Sequence, residues 1–391
     1  MRRVLATYFV DSVADNTAGI CAADNQAGNS ACTIRLAIQE AEANPGADTI
    51  QIADGNYVLD NLLGSFDLGA AQDIAFVGNV TNPTAVVIDG DNQSRLFDIF
   101  IAGPTNVSFQ GLTLQNGLAD DGSGGAGING GAGGISLSLS NVIMSGNVAA
   151  ENSFIQGQFS SGGAINTFGS LTIDDSMIMN NRSTLHGGGI DYSSDVGQSL
   201  TIRNSTISGN QAGDPNRVVG TYTGIGYGGG VLADDGDSAV FENVTITGNT
   251  AGDSGGGVYM QGTRATFTNT DFLNNVASGN ASGGGGLYVL NEQVNMTGGR
   301  FEGNTSVAGG AGMEMLRSGG TIENVTYRQN DVTGNGITFE EGGGGLAVIQ
   351  TTMATLRGLT IDNNTAPAGA GVAVVDSNVT IESSSVTNNT A

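Results

Sequence analysis

Gly187-Gly188-Gly189-Ile190, Leu200-Thr201-Ile202-Arg203-Asn204 and Ser205-Thr206-Ile207-Ser208-Gly209-Asn210 contain, in order, one copy of a degenerate repeat. Its closing asparagine returns as Asn147, Asn181, Asn210, Asn249, Asn275, Asn304, Asn330, Asn364 and Asn389, with gaps of 34, 29, 39, 26, 29, 26, 34 and 25 residues. Eight residues before each stands an apolar residue, as in Ile173, Ile202, Phe241, Phe267 and Met296. Three before stands another, as in Ile178, Ile207, Ile246, Phe272 and Phe301, and a third set follows the glycine runs at Ile165, Ile190, Val231, Val258 and Leu287. These columns predict three short strands per repeat, each with period-two alternation.

A unit this small cannot bury its apolar side alone. Stacking copies at about 4.8 Å per coil lines up like with like, which predicts an all-β, right-handed parallel β-helix with regular coils from about 107 to 389. Six residues before the closing asparagine lies a column of Asn141, Asp175, Asn204, Asn243, Asn269 and Asn324, with Gly298, Gly358 and Ser383 in the other copies. Asn, Asp and Gly tolerate positive φ, so this column marks sharp corners between strands.

The 391 residues include 65 Gly, 37 acidic side chains and 12 Arg without Lys, for a net charge of −25. Such a balance disfavours nucleic acid, whose phosphates need cations, and anionic membrane surfaces. No apolar run reaches the roughly 18 residues of a membrane span. With His186 as the only histidine, a multi-His zinc site is excluded. The apolar stretch after Met1-Arg2-Arg3 ends by Asp11 without a small-residue cleavage site, and the last coil stops at Ala391 in mid-pattern. The sequence is therefore read as a segment to which a signal peptide, further coils or an anchor could belong.

Residues 1–48 differ from the rest and are read as an N-terminal cap before a β-helix over 49–391. Cys21 and Cys32, the only cysteines, flank a polar loop; a disulfide fits an exported protein, two buried thiols being the alternative. Thr33 is placed to cap a short helix with apolar Ile34, Ala37, Ile38 and Ala41, ended by Asn44-Pro45-Gly46. That helix would cover the open end of the solenoid, which otherwise exposes unpaired backbone. Cys32-Thr33-Ile34-Arg35-Leu36-Ala37-Ile38 with Ala43-Asn44-Pro45-Gly46-Ala47-Asp48-Thr49-Ile50 resembles the CSLREA domain of bacterial extracellular β-helix proteins, with Leu36 where that pattern has Glu or Ala. Gly162-Gly163-Ala164-Ile165, Phe272-Leu273-Asn274-Asn275 and Phe301-Glu302-Gly303-Asn304 resemble the GGAI and FxxN signatures of polymorphic outer-membrane protein repeats of surface adhesins. Both resemblances imply a secreted or cell-surface location, and neither implies a reaction.

Acidic and Arg side chains fall at matching offsets in consecutive copies: Asp174, Arg203, Glu242; Glu323, Arg357, Glu382; Glu302, Arg328, Asp362. Three copies of one acid–Arg–acid order are read as a structural ladder that keeps like charges apart. Asp234, Asp235 and Asp237 are the candidate Ca²⁺ ligands, with a plain acidic loop as the alternative, and no other cofactor is implied. Insertions at 148–160, 211–227 and 331–342 fall at the same point of the coil and decorate one edge. They bring Phe154, Phe159, Tyr222, Tyr227 and Phe339, with Tyr259 and Tyr288 nearby, as candidates for binding a polysaccharide or a protein. The expectation is a structural or adhesive rod, spacer or filament subunit that could self-associate or assemble end to end. The alternatives are a polysaccharide lyase or glycoside hydrolase, for which Asp234, Asp235, Asp237 and Arg264 are the nearest residues, and a non-catalytic carbohydrate-binding β-helix.

Overall fold

The computed structural model describes residues 5–17, 19, 21–23, 31–101, 104–131, 134–151, 160–194, 197–213, 218–219, 222–223, 225–280, 283–334 and 342–391. Parallel strands stack into three long sheets of 21, 11 and 8 strands, here called A, B and C. One coil shows the plan. Val231–Asp234 lies in sheet B, Ser238–Glu242 and Thr245–Thr247 in sheet A, and Thr250–Ala251 in sheet C. The next coil repeats it in register, with Val231 beside Val258, Phe241 beside Phe267, Ile246 beside Phe272 and Ala251 beside Ala277.

The corners are where the predicted column put them. Asn141, Asp175, Asn204, Asn243, Asn269, Asn324 and Ser383 have φ between 48° and 57°. There the chain turns within sheet A without leaving its ladder. Where the sequence predicts three strands per repeat, the structure has four. The additional one is the two-residue strand of sheet C, whose inward position is Ala119, Ala149, Ser183, Ala212, Ala251, Ala277, Ser306 or Val332. Small side chains two residues long leave no periodic apolar signal to read.

Inside the coils, identical positions stack. Phe272, Phe301 and Tyr327 lie with ring centroids 4.6 and 4.8 Å apart and planes within 4° of parallel. The closing asparagines are fully or nearly fully buried from Asn147 to Asn364. Asn275 shows their bonding: its backbone N–H and its Nδ2 both donate to Oδ1 of Asn304 at 3.0 Å, and Nδ2 also donates to the Ile246 carbonyl at 2.9 Å. The same pattern links each asparagine to the next as far as Asn389. Gly117, which stands at the head of this column, donates its N–H to Oδ1 of Asn147 at 2.9 Å.

At the N-terminal end, the helix Ile34–Ala43 buries Ile34, Leu36, Ala37, Ile38 and Ala41, and the Thr33 hydroxyl accepts the Leu36 N–H at 3.2 Å. Thr7–Val10, which the sequence pattern shows only as the end of an apolar stretch, is a strand of sheet A paired in parallel with Asp48–Ile52. Cys21 and Cys32 form a disulfide. Arg35 holds the parts together: its guanidinium takes both oxygens of Asp15 at 2.8 Å, donates to the Ser65 and Gly64 carbonyls, and lies 4.9 Å over the Phe66 ring.

Candidate functional site

Strands of sheet B alternate in and out, so the residue after each inward Ile, Val or Leu faces away from the core. Along the sheet this outward column runs Asn129, Asn166, Asp191, Leu232, Tyr259, Tyr288 and Glu314. All of them are buried. The polar ones are bonded into the wall: Asn129 Nδ2 donates to Asp98, Asn166 Nδ2 donates to Asn129 and to the Ser123 carbonyl, and Glu314 accepts the Gly283 N–H at 2.9 Å.

The candidate tyrosines belong to this wall. His186, Tyr227, Tyr259 and Tyr288 form one continuous stack with centroid separations of 4.8, 4.7 and 5.1 Å. Tyr259 and Tyr288 are only 7% and 3% exposed, so their faces are spent on each other and are not an open platform for a ligand. Tyr227 is half-buried, and its backbone N–H donates to His186 Nδ1 at 3.1 Å. Burial lowers the His186 pKa to about 4 and keeps the ring neutral at physiological pH. Tyr222 sits in a short antiparallel pairing of Tyr222–Thr223 with Val218–Val219, while its side chain lies outside the described residues, as do Phe154, Phe159 and Phe339.

The three acids proposed for Ca²⁺ sit in different surroundings. Asp234 ends its sheet B strand half-buried, with a buried Oδ1 that has no hydrogen-bond partner among the described residues. Its own burial, with Asp235 and Asp191 nearby, pushes its pKa up to about 6. Asp235 occupies a corner at φ 57°, and Asp237 is exposed beyond it. Among the described residues no three His, Cys, Asp or Glu side chains converge as a metal site requires. The turn at Asp89 is likewise taken up internally, its carboxylate accepting from the Asp91 N–H, Gln115 and Asn116.

Acid and Arg columns meet in the predicted register: Arg203 lies between Asp174 and Glu242, Arg357 between Glu323 and Glu382, and Arg328 between Glu302 and Asp362. Arg203 reaches Glu242 at 3.1 Å and Arg357 reaches Glu323 at 3.0 Å. A further pair, Arg300 with Asp271 at 3.2 Å, shares the device. Several sets of charges depart from it, among them Arg95, which pairs with Asp121 at 2.9 Å. At the corner from sheet B to sheet A, Asp237, Arg264 and Glu292 line an open groove together with Gly236 and Gly262. Sequence reasoning named Asp237 and Arg264 but not Glu292, which sits at a loop position outside the repeat columns.

With four strands per coil, in-register parallel pairing and stacked like residues, the architecture is settled. The chain is a right-handed parallel β-helix. Residues 229–391 match the family model for a right-handed β-helix region. No curated protein sequence matches the chain. Among solved structures it is similar to a surface adhesin of Streptococcus pneumoniae, with a TM-score of 0.51 and 13% identity over 91% of this chain and 86% of that one. It also resembles the A-module of a mannuronan C-5 epimerase of Azotobacter vinelandii, with a TM-score of 0.39 and 12% identity over 92% and 94% of the two chains.

Proposed function

We propose that this β-helix is a secreted or cell-surface protein with a structural or adhesive role, a rod or spacer that meets polysaccharide or protein outside the cell. The observation that carries the reading is the uniformity of the wall. The same asparagine ladder runs unbroken from Asn147 to Asn389, and the acid–Arg–acid triplets lie in register on consecutive coils as a repeated device. A disulfide, a strongly acidic surface and the resemblance of Cys32 to Ile50 to the CSLREA domain and of the repeats to polymorphic outer-membrane protein repeats support an extracellular location. The adhesin with the same fold is compatible with it.

The test is surface accessibility on cells that produce the protein, by protease shaving and antibody labelling, combined with negative-stain microscopy. Surface-exposed or released rods are expected. Retention inside intact cells, out of reach of protease and antibody, would overturn the location. Assembly into filaments through solenoid ends extends the same reading, and dispersed monomers at high concentration would contradict that extension.

A further inference from the structure

The corner groove combines two features. First, two of its three charges are uncommitted, while Glu292 Oε2 accepts the Gln293 N–H at 3.2 Å. The Arg264 strand is in register with Ser238, next to Asp237, and Glu292 stands on the following coil. Yet among the described residues the Arg264 guanidinium and the Asp237 carboxylate make no ion pair or hydrogen bond, whereas Arg203 and Arg357 are paired. Second, two of its five lining residues have no side chain. Gly262 takes φ 63°, and a Cβ there would lie 2.5 Å from Asp235 Oδ1.

We propose that this groove binds a neutral saccharide, one or two sugar residues of an oligosaccharide laid across the corner. Its volume of about 510 Å³ falls in the range of small-ligand sites. Paired sugar hydroxyls donate to the Asp237 and Glu292 carboxylates, while Arg264 donates to a hydroxyl or ring oxygen between them. A polyanion is disfavoured by two flanking carboxylates on a chain of net charge −25. A metal ion is disfavoured because Arg264 stands between the two acids that line the groove, Asp237 and Glu292.

This assignment deepens the extracellular reading above and rests on it. The experiment is calorimetric and ligand-observed NMR titration with cellotetraose, maltotetraose and laminaritetraose as probes and tetragalacturonate as the charged control. Wild type is compared with Arg264→Ala and Glu292→Gln in the groove, and with Arg203→Ala in a ladder. At least one neutral probe binds wild type and Arg203→Ala alike, and both groove variants weaken it by about tenfold or more. Absence of binding by all three neutral probes, binding that survives both groove variants, or preference for tetragalacturonate would each overturn the groove assignment. None of these outcomes touches the location, which stands or falls on the accessibility experiment.

Discussion

A buried asparagine amide can make four hydrogen bonds, and in the closing column both Nδ2 protons and both acceptor positions of Oδ1 are used. Truncating one leaves unpaired groups on the coils to either side. Asn275→Ala is expected to destabilise the protein by about 2–4 kcal/mol, and Asn275→Asp by more, because a carboxylate there faces the Ile246 carbonyl and Asn304 Oδ1 with no proton to offer. Thermal unfolding of the two variants at neutral pH checks the order, and Asn275→Asp should partly recover in acid. Asp234 carries the opposite kind of prediction. Its pKa is raised from 3.8 to about 6, so the native state holds the extra proton across that window. Stability from this group is present below the lower value and is lost as pH rises through the higher one. Asp234→Asn should therefore raise the melting temperature at about pH 8 and change it little at about pH 3.5, and an unchanged difference between the two would contradict the burial argument.

At the scale of elements, the ladders and the cap differ in strength. Exposed pairs such as Arg203 with Glu242 contribute at most about 1 kcal/mol. Arg203→Ala should thus cost less than Asn210→Ala on the same coil, measured by chemical denaturation. Arg35 is only slightly exposed and bonds Asp15 and two carbonyls at once. Arg35→Lys loses the two-pronged contact and is expected to loosen the helix and the Thr7–Val10 strand together, seen as faster amide exchange in both while later coils keep their protection. The strands with long apolar columns, the corners and the helix from Thr33 onward were legible because each rests on a residue type with a local physical cause. Sheet C was not, since Ala and Ser at its inward positions look like loop. The role of Arg35 was equally hidden, because its partners lie 20 to 30 residues away in sequence. The candidate tyrosines were found as a group, but sequence spacing cannot tell an open aromatic face from a stack buried against its neighbours. For the groove, Asp237 and Arg264 were visible as charges outside the ladders, while Glu292 needed the fold to bring it beside them.

For the whole molecule, the eleven strands of sheet B correspond to an axis of roughly 50 Å at the usual inter-strand spacing. Along that axis the core columns and the asparagine ladder repeat from coil to coil, while the outward positions of sheet B change from Asn129 to Tyr288 and Glu314. The central proposal is that this β-helix has a structural or adhesive role outside the cell. The most direct test is to incubate the purified protein with neutral and acidic polysaccharides and follow both reducing ends and unsaturated products. The account predicts no turnover with any of them; sustained release of products, abolished by a single acidic substitution such as Asp234→Asn or Asp237→Asn, would contradict it.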